Sequence, residues 1–565
     1  MAVGIRLEPR RKTSLDVESE SIGHGHGHGH GHGDGDGDED AHFLPASPAA
    51  AAAPAAEMDP KRQRYVILMC VVFLFIVEFS MYIMEPPLQA IMEDFVCHGI
   101  YPDHAANDPR AAPDPRCKGQ DVQKTLAMAR TWLMWTGMFV PLLVQIPYGM
   151  VADRHGRRPV LFAGLLGIVL STAWTIVVLR RPDTFSIWHL LPGSVALLIG
   201  GGTPGATAMV WTIMTDSTSP ANRTSLFYQM HAMMLILSAA FRPLAAWLLS
   251  IDPWLPMWIG LAALVLSMFS TLLIPETLPL RQQSAHHDHN HVHPLAKVRG
   301  GGGGGGGVLA TALGTAAREL SRIWRFILGS RSIMLLVLAD GLLNPIYAAV
   351  EMNLLQYVTV RFGWDWSTAT YLTTVNKVVS VIVLLGILPL LSRLLTRRRA
   401  MAVAPRDLLL SRGSVLLMTA GSLLTAVAAA PWVLFAAMVV YHLGSGFSPQ
   451  LRALLASLVE QDSLATLNTT LATAETLMGL AGVPALGWLL AKGFELGGGW
   501  MGLPFLLSTA LAALAAAAMF AFTLPRGTIG KAEGGYRLVD QHSPRGVDGS
   551  AVEEGVELDS SPNYH

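Results

Sequence analysis

From Tyr65 to about residue 524 the chain alternates long apolar runs with short charged breaks. A helix needs about twenty apolar residues to cross a bilayer core. Runs of that length occur six times in a first set, at about 65–87, 131–152, 159–180, 187–215, 224–250 and 254–275. Six more follow at about 332–358, 367–392, 408–429, 431–449, 465–491 and 500–524. The polar segment 279–330 separates the sets. The pattern predicts an all-α membrane protein of twelve transmembrane helices. Its expected divisions are a disordered cytoplasmic N-terminus (1–64), a first six-helix half (65–277), a His/Gly-rich cytoplasmic middle loop (278–331), a second half (332–524) and a disordered cytoplasmic tail (525–565). Gly, Pro and charge at the density seen in 1–64 cannot bury enough apolar surface to offset ordering entropy. The glycine run 300–307 reads as tether.

Composition agrees. Of 565 residues, 51 % are hydrophobic and 14 % charged, against about 25 % charged in ordinary soluble domains. The net charge of −1 argues against a nucleic-acid partner. The first 64 residues show no secretory signal pattern, so the run from Tyr65 is expected to act as an uncleaved anchor. Lys61, Arg62 and Arg64 precede it, which by the positive-inside rule places the N-terminus in the cytoplasm. Most other loop arginines fall on the same side. The exception is the first opposing loop, with Arg110, Arg116, Lys118, Lys124 and Arg130.

The densest charge between two apolar runs is the turn Gly149-Met150-Val151-Ala152-Asp153-Arg154-His155-Gly156-Arg157-Arg158-Pro159. It resembles the loop between helices 2 and 3 of the major facilitator superfamily, roughly G-x-x-x-D-R-x-G-R-[RK], with every fixed position filled. The resemblance implies two halves related by pseudo-symmetry and transport by alternating access. Gly149 and Gly156 are expected to permit close helix approach and a tight turn. The resemblance assigns Asp153 to bracing the closed cytoplasmic side against the start of helix 11. It sends Arg154, Arg157 and Arg158 toward an acid at the end of helix 4, here Asp216, followed by Arg223. The bland alternative is that these arginines only anchor topology. Ser392 to Arg399 is a worn counterpart in the second half, keeping the positive charge without the glycines or the acid.

Charges inside apolar runs usually face a bundle interior or a water-filled cavity. Helix 1 carries Glu78, Tyr82 and Glu85. Helix 7 carries Asp340, Asn344, Tyr347 and Glu351, one stripe at helical spacing. Lys377 in helix 8 is at a depth to reach Glu351, while Arg242 and His231 are in helix 5, His442 in helix 10 and Glu475 in helix 11. The functional reading is a proton site with substrate contacts, led by Asp340 and Glu351. The alternative is structural ion pairing or snorkelling, and Glu85, beside Pro86 and Pro87, fits the alternative better. His231 reads as a helix–helix hydrogen bond.

A narrower resemblance rests on Pro86-Pro87-Leu88-Gln89-Ala90-Ile91-Met92-Glu93-Asp94-Phe95-Val96-Cys97, Tyr101, Cys117, Val122-Gln123 and Ile274-Pro275-Glu276-Thr277-Leu278. These are similar to filamentous-fungal facilitators distantly related to proton-coupled folate and tetracycline porters. That likeness implies a Cys97–Cys117 disulfide on the extracytoplasmic side, with two free thiols as the alternative. Drug/proton antiporters often carry a glycine–proline motif in helix 5. Here Ser238 to Pro243 keeps the proline without the glycines, which leaves the direction of transport open.

Two tracts, His24, His26, His28, His30 and His32, and His286, His287, His289, His291 and His293, offer imidazoles to a metal. They support a zinc transporter or metal-regulated porter as the alternative to the main expectation. That expectation is a monomeric, proton-coupled efflux transporter of a small organic molecule in the plasma or vacuolar membrane, with no cofactor. Proton-coupled nutrient uptake is a further alternative. An enzyme is not expected, since no nucleophile–base pair or catalytic metal motif is present. Asn222 and Asn468 begin glycosylation patterns on the predicted cytoplasmic side and are expected to be unused.

Overall fold

The computed structural model describes residues 60–104, 114–218, 220–276, 331–399, 401–458 and 464–524. Both histidine tracts lie outside the described residues, as do the side chains of Arg223 and His231.

Among the described residues twelve helices are long and apolar enough to span a bilayer. They are α1 (Lys61–Ile100), α2 (Gln120–Gln145), α3 (Arg157–Leu179), α4 (Ile187–Asp216), α5 (Ala232–Ile251) and α6 (Trp254–Leu273), then α7 (Arg331–Arg361), α8 (Trp366–Arg398), α9 (Val403–Val427), α10 (Pro431–Leu455), α11 (Thr470–Leu496) and α12 (Gly498–Ala521). The helix containing α2 continues to His155.

Packing repeats between the halves. In the first half α1 packs on α6 and α3 on α4, and in the second α7 packs on α12 and α9 on α10. The halves meet along two equivalent seams, α2 against α11 and α5 against α8. One end of the bundle carries the Gly149–Pro159 turn, and the other carries a disulfide between Cys97 and Cys117. We call these the turn face and the disulfide face.

Three elements depart from the apolar pattern. First, α1 runs on through Pro86 and Pro87 to Ile100, and α2 begins at Gln120, well before residue 131. Proline removes two helix donors but does not stop α1 here. The continuation buries Ile91, Met92, Phe95 and Val96 in the core, and that burial holds it helical. Second, α7 is interrupted at Leu342, between helices Arg331–Gly341 and Leu343–Arg361. Third, α4 opens as a 3₁₀ segment, Ile187–Leu198, and turns through Gly200 to Gly202 at φ +75°, +80° and +56° before its α-helical part.

Gly200 is required twice over, by its left-handed backbone and because a Cβ would fall inside the backbone of Ala163 and Gly164 on α3. Gly99, near the end of α1, has open space around it. Gly200→Ala should therefore lower stability by about 2 kcal/mol or more, while Gly99→Ala stays within about 0.5 kcal/mol of the parent. Thermal unfolding of both variants in detergent checks the contrast.

Candidate functional site

At the turn face, Gly156 separates the helix ending at His155 from α3 and sits at φ +110°. A Cβ there would lie 2.5 Å from the Glu276 carboxylate. Glu276, just past α6, accepts the backbone N–H of Arg157 at 2.9 Å and of Arg158 at 3.2 Å. A carboxylate at a helix start meets unpaired donors and the positive end of the dipole. Arg157, only 2 % exposed, donates to Asp153 at 2.6 Å and to Asp216 at 3.3 Å. So Arg157 is the buried centre of the cluster, tying α2 and α3 to α4.

Two expectations for the turn need correcting. Arg154 is exposed and has no ion-pair partner among the described residues. Gly149 makes no close helix approach among the described residues, with none of their atoms within 4 Å of a Cβ placed on it. In the sequence Glu276 stands out only as part of a likeness. Its capping role depends on α6 ending beside α3, which no spacing reveals.

At the seam between the halves, four charges alternate in a chain. Glu85 of α1 lies 3.1 Å from Arg242 of α5, and Arg242 lies 3.2 Å from Glu351 of α7. Glu351 in turn pairs with Lys377 of α8. Arg242 also donates to Thr373 at 3.4 Å and sits 5.6 Å from the Tyr82 ring centre. Glu85, Arg242, Glu351, Lys377 and Thr373 line a pocket with Asn376 and His442, whose Nδ1 is 2.8 Å from Ser380 Oγ. Glu85 is thus in the pocket wall and not at a helix end, because α1 is longer than its apolar run. Glu78 is not among the lining residues.

Asp340 belongs to a second cluster. Its carboxylate is fully buried, with no hydrogen-bond donor among the described residues. Arg452 Nε lies 3.7 Å away, and Arg452 pairs with Glu475 at 2.6 Å. The helix 7 stripe is therefore not one site. Eleven residues of helix cover about 16 Å, so Asp340 meets α10 and α11 while Glu351 meets α5 and α8. Between them, Asn344 packs against Gly479 and Tyr347 against the core.

The disulfide face is closed by hydrogen bonds between the halves. Trp366 Nε1 donates to Glu93 at 2.6 Å. Gln356 donates to the Gln123 carbonyl and side-chain oxygens at 3.0 and 2.9 Å, and accepts from Arg130 at 2.8 Å. Of the basic residues that broke the charge rule in the first loop, Lys118 pairs with Glu93, Lys124 with Glu495, and Arg116 with Asp103 and Asp114. Arg110 lies outside the described residues. Hydrogen bonds from Arg116 hold the Asp103 and Asp114 carboxyls below the usual range. Their contribution is complete above the ordinary carboxylate pKa and is lost as pH falls through the lowered values. Cys97, His104 and Cys117 come within metal-ligand range. The disulfide leaves no thiolate, so in this state they offer one imidazole and no ligand set.

Two pseudo-symmetric six-helix halves with a charged pocket on their seam are the architecture of a secondary transporter. The model of the Major Facilitator Superfamily matches residues 68–483, and the chain belongs to that superfamily. It is 27 % identical over 489 residues to the MFS efflux pump atnC of Emericella nidulans, covering 85 % of this chain and 92 % of that protein. It is 26 % identical to the MFS-type transporter avaK of Aspergillus versicolor, over 79 % and 90 % of the two chains. With the efflux pump ustT of Aspergillus flavus it shares 28 % identity over 77 % and 83 %. In fold it is similar to a bacterial homologue of the iron transporter ferroportin, at TM-score 0.51 and 14 % identity over 82 % and 99 % of the two chains.

Removing Arg157 leaves Asp216 and Asp153 without their shared cation, whereas Glu276→Gln weakens a helix cap. Arg157→Ala should cost about 3–5 kcal/mol and Glu276→Gln about 1 kcal/mol. Melting curves in detergent should rank them in that order.

Proposed function

We propose that the chain exports a small organic molecule in exchange for protons by alternating access, as a monomer in the plasma or vacuolar membrane. In this reading the turn face and both termini are cytoplasmic. The observation that carries it is the alternating chain Glu85–Arg242–Glu351–Lys377, which crosses the seam at its middle link. Cutting that link leaves one complete ion pair in each half. Two of the relatives, atnC and ustT, are efflux pumps, which favours export.

Protonation of Glu351 withdraws the negative charge shared by Arg242 and Lys377. The middle link loosens, and the pocket turns cationic. A bound substrate and a proton then compete for one electrostatic environment, which is the requirement for exchange. Asp340, beside Glu475 and nearer the turn face, is the second proton carrier, since a proton between the two carboxyls supplies the donor that Asp340 lacks. The Asp153, Arg157 and Asp216 cluster keeps the first half rigid while the seam opens.

Sealed inside-out vesicles with an acidic lumen test the reading, using a panel of labelled organic compounds with zinc and common nutrients included. A compound of the organic panel should accumulate, and a protonophore should abolish the accumulation. Glu351→Gln should lower the rate about tenfold. Glu85→Gln should also slow turnover, because Arg242 then has only Glu351 and the seam resists parting. Full pH dependence in both Asp340→Asn and Glu351→Gln would remove the proton assignment. Zinc accumulation in place of organic cargo, or nutrient movement only out of the vesicles, would replace the substrate or the direction.

A further inference from the structure

The geometry points to Glu93 as the residue that locks the disulfide face shut, with the Cys97–Cys117 disulfide positioning its donors. The inference rests on the alternating-access reading above. It assigns a gate residue and a gate-setting covalent bond that lie outside both the turn motif and the pocket.

Glu93 is 7 % exposed, in the part of α1 that continues past the double proline. Its carboxylate collects donors from three places. Trp366 Nε1, at the start of α8, donates from the second half at 2.6 Å. Lys118 Nζ, from the turn before α2, reaches both carboxylate oxygens at 2.8 Å. Gln123 of α2 also donates to it.

Gln123 carries the contact onward to Gln356, and Gln356 to Arg130. The run Trp366–Glu93–Gln123–Gln356–Arg130 therefore passes back and forth between the halves and closes this face. Glu93 is its only carboxylate. Hydrogen bonds with one ionised partner are roughly twice as strong as neutral ones, so the bond from Trp366 to Glu93 at one end of the run and those from Arg130 at the other are its strong links.

The disulfide explains why the donors stand where they do. It holds the turn Pro115–Lys118 against α1, with the two Cα atoms 5.1 Å apart. Lys118 is the next residue after Cys117, and the Cys117 carbonyl accepts the same Gln123 amide group at 2.9 Å. Lys118 also lies 5.1 Å from the Trp366 ring centre. One covalent link thus orients two of the three donor groups and supports the third. When the halves part, Trp366 leaves, while Lys118 and Gln123 stay with Glu93. The carboxylate is not stranded, and the lock can reset.

The test uses a reporter cysteine at Leu354, a buried residue of the pocket wall. A membrane-impermeant maleimide is applied from the disulfide face of the full-length protein in vesicles. Against Leu354→Cys alone, adding Glu93→Gln should raise the labelling rate about tenfold. Trp366→Phe should raise it similarly, and Glu93→Asp should return it toward the parent. Replacing Cys97 and Cys117 together with serine should raise it too, by less. Unchanged labelling in both Glu93→Gln and Trp366→Phe overturns the lock. If Glu93→Gln misfolds, Trp366→Phe alone decides. Labelling needs no cargo, so unchanged labelling in a protein that still transports rejects only the lock. A parent protein that moves no compound rejects the transport reading instead.

Discussion

Arg242 is the charge on which the membrane part of this structure depends. It is 4 % exposed in the middle of the seam, where an unpaired guanidinium is too costly to keep. Its partners are divided between the halves, Glu85 on its own side and Glu351 on the other. Glu351 likewise has Lys377 on its own side. The seam therefore carries a strong contact that can break without leaving a lone charge in either half. Glu93 follows the same design at the disulfide face, with Lys118 as its resident partner. Arg130 does not, since its described acceptors, Gln356 and the Met352 carbonyl, both belong to the second half.

The turn cluster is built the other way. The described partners of Arg157, namely Asp153, Asp216 and Glu276, lie in the first half. These described contacts lie within one half and do not themselves join the halves. They fix the angles between α2, α3, α4 and α6. Rigidity inside a half and exchangeable pairing between halves are complementary needs, because a soft half would absorb the motion that has to reach the pocket.

Much of this was legible in the sequence. Apolar runs located all twelve spans, and the spacing from Gly149 to Arg158 singled out the turn. Mid-span charges pointed to Arg242, Glu351 and Lys377, since a charge in an apolar run is conspicuous. What stayed hidden lay where apolar pattern and structure part company. Pro86-Pro87 reads as a stop, yet the burial of Phe95 and Val96 carries α1 past it, which brings Glu85 into the pocket and Glu93 into the seal. Glu93, Gln123, Gln356 and Trp366 stand near span ends, where polar and aromatic residues are ordinary. Their bonds are long-range pairings that no local period encodes. Asp340 and Glu351 read as one stripe because helical spacing reports a shared face and says nothing of depth.

A seal of this kind at one face constrains the other. Individual buried hydrogen bonds contribute about 0.5–1.5 kcal/mol net, so the set joining α1, α2, α7 and α8 tilts the protein toward the conformation closed at the disulfide face. A transporter needs its two end states within a few kcal/mol of each other, so closure at the turn face has to supply a comparable gain. The groups for it are in place. Asp153 pairs with Arg157 yet leaves 59 % of its side chain exposed, and Arg154 is exposed beside it. The end of α8 in the opposite half presents Arg393, Arg397 and Arg398 to solvent. The worn second turn lost its acid and kept its arginines, while the intact first turn keeps an exposed acid. Exposed charges of both signs at this face make contacts that solvent screening keeps small enough to be reversible.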